Sequence, residues 1–184
     1  MRVTREQVQE NRRRILEAAG RLFREKGFSA VTVAEVMEAA GLTHGGFYGH
    51  FASKEDLAAQ ALAQALTPAP REPGTAPDGR APDLAGFVAA YLSAAHRDRP
   101  GTGCALAALG SEAARQPPPV RRAFTEGLEA RVARMREAQP GGDRAAALAA
   151  ISGLVGALVL ARAVDDPALS DEILAAARGA IGSP

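Results

Sequence analysis

Val8, Ile15, Ala18, Ala19, Leu22 and Phe23 fall on one stripe at helical spacing, which predicts an amphipathic helix over about 7–26. Gly27 stands where a left-handed C-cap belongs, and Phe28 is the apolar residue that closes it. Thr32-Val33-Ala34-Glu35 has capping-box spacing and opens a short helix ending near Ala40. Gly41 supplies a sharp turn, and Thr43 stands as the cap of a second short helix over about 44–50. Ser53-Lys54-Glu55-Asp56 then opens a helix to about Leu66. Residues 67–83 break the pattern with five prolines and two glycines and read as an irregular, mobile loop. Helical spacing resumes near 84–97, 103–115, 119–138, 143–164 and 170–181, divided at Pro100, Pro117–Pro119, Pro140-Gly141-Gly142 and Pro167. No β-branched alternation competes, so the expected fold is all-α with about nine helices.

Composition agrees with that reading. The 184 residues include 42 alanines and no tryptophan, which suits close-packed helices better than a sheet. A single cysteine excludes an internal disulfide framework. The net charge of +1 by itself gives no reason to expect a nucleic-acid partner. Position changes this: residues 1–26 carry eight basic and four acidic side chains, whereas 67–184 carry thirteen of each. Phe23, Phe28, Phe47, Tyr48 and Phe51 also lie in the first third. Both asymmetries predict a small basic unit with an aromatic core at 1–52, followed by an alanine-rich helical body at 53–184. Phe23, Phe28, Phe47 and Phe51 are expected in the core.

The first residues, MRVTREQVQENRRR, hold no apolar segment of a signal peptide, so the expected location is cytoplasmic. Ala145 to Ala161 is uncharged for 17 residues, the lower limit for a bilayer span. Its alanines, glycines and Ser152 make it weakly apolar, and a helix buried on most faces is the expectation; no membrane partner is assigned.

Two short helices joined at Gly41-Leu42-Thr43 have the spacing of a helix-turn-helix, whose second helix can enter a major groove. Thr32, Thr43, Tyr48, His50 and Lys54 are donors at helix starts or on exposed faces. Helix N-termini add backbone N–H groups suited to phosphate. Catalytic signatures are missing: there is no Gly-x-Ser-x-Gly, no phosphate loop and no paired His-Glu metal helix. Ser111, in Leu109-Gly110-Ser111-Glu112, is not a nucleophile elbow. A tetrahedral metal site would need all three histidines and the cysteine, two of which belong to the helix-turn-helix, so no metal, cofactor or enzymatic activity is expected.

The stretch Thr32 to Leu57, TVAEVMEAAGLTHGGFYGHFASKEDL, resembles the DNA-binding signature of the TetR family of bacterial transcriptional regulators. The Gly41-Leu42-Thr43 turn, Phe47-Tyr48, His50-Phe51 and Ser53-Lys54-Glu55 match it, as does Leu22 to Phe28 before them. The resemblance covers about 10–66. It implies an all-α homodimer with an N-terminal three-helix DNA-binding unit and a C-terminal ligand-binding and dimerisation body. It also implies a repressor released from a double-stranded palindromic operator by a small molecule.

By position, the resemblance makes Thr32, Thr43, Tyr48, His50 and Lys54 phosphate contacts, with a structural hydrogen bond the alternative for His50. Its base-reading positions are His44, Gly45, Gly46 and Gly49. The chain departs from the family here, because three glycines offer no side chains. His44 becomes the main base reader, with Val33 or Ala34 against a thymine methyl. The glycines also predict a weak helix that packs close to DNA. Met37 is a second departure, where the family commonly has alanine. Arg12, Arg13 and Arg14 are either a solvated face or phosphate contacts, and Arg2 and Arg5 either a free tail or an arm near DNA.

The body carries less motif content. Phe87, Tyr91, Leu106, Leu109, Phe124, Leu128 and Met135 are candidate walls of an apolar pocket for a hydrophobic or aromatic inducer, or else plain core. Cys104 is placed just inside a helix capped by Thr102, with His96 and Arg97 near it. There it is an electrophile or redox sensor, or an inert buried thiol. Ala149, Gly153, Gly156 and Ala157 permit close helix approach, and Leu154, Leu158 and Ile173 supply area for a dimer seam. A constitutive DNA-binding protein with no ligand is the remaining alternative.

Overall fold

The first helix stops because Gly27 adopts φ +83° while its N–H donates to the Phe23 carbonyl at 2.8 Å. The next starts on a complete capping box: Thr32 Oγ accepts the Glu35 N–H while a Glu35 carboxylate oxygen accepts the Thr32 N–H. The computed structural model describes residues 4–67, 84–138 and 140–182. Among them are nine α-helices: α1 Arg5–Lys26, α2 Val33–Ala39, α3 Lys54–Leu66, α4 Leu84–Tyr91, α5 Ala94–Arg97, α6 Ala105–Ala113, α7 Pro118–Ala138, α8 Arg144–Ala163 and α9 Pro167–Gly182. Three 3-10 turns lie at His44–Gly49, Pro100–Thr102 and Pro140–Gly142, and the described residues contain no strand. The expected loop lies outside the described residues from 68 to 83.

Two expected helices differ. The helix at 44–50 is a 3-10 turn. The helix over 84–97 is two, because Ser93 Oγ donates to the Ala90 carbonyl and accepts the His96 N–H, closing α4 and capping α5.

The chain forms two compact units, Met1–Leu66 with Cys104–Gly127, and Thr67–Gly103 with Leu128–Pro184. The expected division after residue 52 differs from this, since α3 packs on α1 and α6 joins the same unit. In the first unit, α1 buries Ile15, Ala18, Ala19, Leu22 and Phe23, and α3 buries Leu57, Ala58, Ala61, Leu62 and Leu66. Each large side chain so buried contributes about 1.5–3 kcal/mol. Val8, expected on the α1 stripe, is exposed near its start. Gly127 of α7 is required by close approach: a Cβ there would stand 2.5 Å from Leu66. Glu112 of α6 accepts the Phe28 N–H at 2.9 Å, tying α6 to the end of α1.

In the second unit, α8 buries Ala147, Ala150, Ile151, Leu154, Ala157, Leu158 and Ala161, and α9 packs along it. Ser170 of α9 is buried with its hydroxyl donated to the Ala161 carbonyl at 2.6 Å. Part of the expected dimer seam lies inside its own unit. Leu154, Ala157 and Leu158 belong to the core of their own unit, and a Cβ at Gly153 would stand 3.0 Å from Ile181 of α9. Ile173 is half-buried, Ala149 is exposed, and nothing lies within 4 Å of a Cβ at Gly156. The apolar surface left open on α8 is instead Leu148, Val159 and Leu160, with Leu169 on α9. Helix α8 is long and apolar enough to cross a membrane, with mean hydropathy 1.9. A third of that apolar window is buried within the fold, and Leu148, Val159 and Leu160 remain on its surface.

Candidate nucleic-acid interface

The interface is built on three supports. Helix α2 presents its start at Thr32. The turn at Gly41 (φ +66°) then swings the chain round, with the Leu42 N–H bonded to the Met37 carbonyl at 2.8 Å. The third support is α3, which begins after Ser53. There Ser53 Oγ accepts the Asp56 N–H at 3.1 Å, while Asp56 accepts the Ala52 N–H at 3.0 Å. Between them Phe47 is fully buried and stacks on Phe51 at 5.8 Å, anchoring the turn His44–Gly49 from beneath.

That anchor leaves the outer side bare. Tyr48 stands 74% exposed, edge-on to Phe47. Thr43, His44, Gly45, Gly46 and Gly49 are exposed as well. Thr43 makes no side-chain cap bond, unlike the expectation, so its hydroxyl is uncommitted. All three glycines have ordinary negative φ, and a Cβ at Gly45 or Gly49 would meet nothing within 4 Å. A Cβ at Gly46 would lie 3.6 Å from the Met37 methyl. Buried Met37 thus occupies the space beside Gly46, which relates the two sequence departures to each other.

Lys54 opens α3, half-buried on a shallow groove with Phe28, Ser29, Glu55, Ala58 and Gln116; no ion pair involves it among the described residues. His50 is half-buried, and its Nδ1 is shielded from solvent without a hydrogen-bond partner, so this nitrogen makes no structural bond. Thr32 differs from the others. Its N–H and its hydroxyl both point to Glu35 Oε2, at 2.8 and 3.0 Å. The Thr32 amide, then Lys26 and the Thr32 hydroxyl, hold the Glu35 carboxyl down at about 2. Both Thr32 donors are therefore engaged inside the protein: the capping-box spacing implies the bond to its N–H, and the structure adds the donation by its hydroxyl.

The arginine run also divides. Arg13 is exposed and paired with Glu10 and Glu17 at 2.6 and 2.5 Å. Arg14 lies over Gly41, and Arg12 turns inward to the His50 carbonyl and Gln60. Sequence pattern cannot separate three consecutive arginines into these roles.

The pocket candidates divide between the two units. Leu106, Leu109 and Phe124 lie in the first unit, the two leucines buried. Phe87, Tyr91, Leu128 and Met135 lie in the second, where the Phe87 and Tyr91 rings stand 5.8 Å apart and Met135 is buried. Cys104 is half-buried and precedes α6 as its N-cap residue, so it is not inside the helix. Thr102 is not the cap: its hydroxyl turns back to the Arg99 carbonyl. Arg24 lies in the same unit; burial pushes its guanidinium down, against the opposing pull of Cys104 and Glu25.

A buried aromatic anchor beneath an exposed second element, set off by a glycine turn, defines a helix-turn-helix protein. Residues 15–61 match the pattern described as bacterial regulatory proteins, tetR family. The chain is similar to the HTH-type transcriptional regulator TtgR of Pseudomonas putida, 44% identical over 66 residues, which are 36% of this chain and 31% of that one. It is 41% identical over 56 residues to the HTH-type transcriptional repressor KstR2 of Mycobacterium tuberculosis, 30% of this chain and 28% of the other. The match thus spans about a third of these relatives' length. The fold is similar to that of a TetR-family transcriptional regulator from Agrobacterium tumefaciens, with TM-score 0.71 at 21% identity, covering 96% of this chain and 100% of that one. Residues 15–61 thus carry the DNA-binding domain of the TetR family.

Proposed function

We propose that this chain is a cytoplasmic, homodimeric transcriptional repressor. It binds a palindromic operator through the surface between Thr32 and Lys54 and leaves it when a hydrophobic or aromatic small molecule enters the C-terminal body. Tyr48 carries the DNA-binding reading: a large aromatic side chain, 74% exposed, sits on a turn whose neighbour Phe47 already supplies the core. Beside it are an uncommitted Thr43 hydroxyl and the charge of Lys54, groups suited to phosphate. The regulator and repressor names of the relatives support the same reading. We assign no catalytic activity, metal or cofactor. Release follows from a two-state equilibrium: ligand favours a form in which α3, carrying Lys54 at its start, is displaced. Its preference for that form must amount to several kcal/mol to empty an operator.

Selection of bound duplexes from genomic fragments tests this. A palindromic consensus is expected, with affinity lost in Tyr48→Phe and Lys54→Ala and lowered by an inducer. Failure to enrich any duplex overturns the DNA reading. Enrichment with no compound altering affinity leaves a constitutive DNA-binding protein. A second reading rests on the half-buried Cys104 at the start of α6: modification of that thiol, rather than a ligand, triggers release. Cys104→Ser then abolishes electrophile-triggered release, and unchanged release excludes it.

A further inference from the structure

Arg12 reaches three groups at once. One guanidinium nitrogen donates to the His50 main-chain carbonyl, a second donates to Gln60 Oε1, and the planar face lies 4.5 Å from the centre of the Phe51 ring. Gln60 passes the link onward, donating to Asp56 Oδ1 at 2.7 Å, while Asp56 Oδ2 accepts the Ala52 N–H. The series of bonds therefore leaves α1, holds the residue that ends the recognition turn, and returns through α3 to the segment just after that turn.

The turn needs such support. It is six residues long with three glycines, the poorest helix formers after proline, and it has no side-chain cap. Besides the 3-10 bonds within it, the Gly46 N–H donates to the Thr43 carbonyl at its start, and the His50 and Phe51 N–H groups donate to the Phe47 carbonyl at its end. Phe47 fixes its underside and ties the far end back to the turn itself, whereas Arg12 is what joins that end to α1 and α3. We infer that Arg12 is the positioning residue of the recognition turn: it sets the turn's C-terminal end against α1 and α3 and does not itself contact DNA. This rests on the reading of the turn as the DNA-facing element. Lysine cannot replace arginine here, because one ammonium has neither the fork to serve two oxygens nor the plane to lie on Phe51.

The test uses the full chain and a duplex selected by the wild type from a random-sequence pool. Arg12→Gln and Arg12→Lys are both expected to lose about tenfold or more in affinity, as for lost charge-assisted hydrogen bonds. The slope of log affinity against log salt stays at the wild-type value. Amide exchange speeds up at His50 and Phe51 and stays unchanged at Ile15 and Ala19 in the α1 core. Overturning results are a slope lowered by about 0.9 in Arg12→Gln and preserved in Arg12→Lys, the pattern of a phosphate contact. Wild-type affinity in both variants, or exchange accelerated equally in the α1 core, overturns the inference as well. If the wild type selects no duplex, the DNA reading fails by itself, and exchange at His50 and Phe51 still decides whether Arg12 holds the turn.

Discussion

Thr32 is expected both as the cap of α2 and, from the resemblance, as a phosphate contact, and the structure commits its hydroxyl to Glu35. Two donors of Thr32 meet one carboxylate oxygen, and the Glu35 N–H returns to the Thr32 hydroxyl. Thr32→Ala should lower stability by about 1 kcal/mol, as for a lost N-cap, in a denaturant titration. The carboxyl of Glu35 also gives a pH dependence with a definite sign. Its folded value, about 2, lies below the ordinary 4.5 because it accepts the Thr32 amide and lies beside Lys26. Stability from this group is therefore present above pH 4.5 and is lost as pH falls towards 2. Melting temperatures of the wild type and Glu35→Gln, compared across that window, should differ at neutral pH and converge in acid. A gap that persists at low pH would assign the effect to shape and not charge.

At the scale of elements, the recognition turn shows where glycine is demanded and where it is not. Gly27 and Gly41 have φ of +83° and +66°, a region alanine enters only with strain. Gly49 has ordinary φ, and its missing Cβ would meet nothing. Alanine at 49 should raise stability by about 0.5–1 kcal/mol through helix propensity. Alanine at 27 or 41 should lower it, and at 27 a Cβ would also stand 2.2 Å from Glu112. Thermal melts of the three variants check the contrast; a destabilised Gly49→Ala would show that the bare backbone has a structural role. The same residues mark what is legible in sequence. Caps and stops are local, so Thr32, Ser53 and Gly27 declare α1, α2 and α3 almost to the residue. The turn at 44–49 was legible as an element, and its glycines as a weakness, although not as the 3-10 form they produce. Inward Arg12, and the carboxylate of Glu112 on the Phe28 amide 84 residues away, depend on tertiary packing that no local pattern encodes.

At the scale of the molecule, what sequence cannot resolve is which side of an apolar helix faces its own chain. Alternating small and branched residues along α8 present two apolar faces, and the one with Leu154 and Leu158 is buried within its own unit. Leu148, Val159 and Leu160 remain on the surface, Leu160 at 57% exposure, with Leu169 on α9. Under the dimeric reading proposed above, this exposed set is the area a second chain covers, since a helix-turn-helix on a palindrome needs two copies in fixed spacing. The two faces then respond differently to substitution. Leu160→Glu should yield a one-chain mass by light scattering and reduce palindrome affinity to that of a half-site, while helix content is retained. Leu158→Ala opens a cavity where the side chain is fully buried and should cost about 2–5 kcal/mol of stability, with the dimer kept below its melting point. A dimer that survives Leu160→Glu but dissociates in a folded Leu158→Ala variant would place the seam on the face now buried within its own unit, and would require that unit to open in forming it.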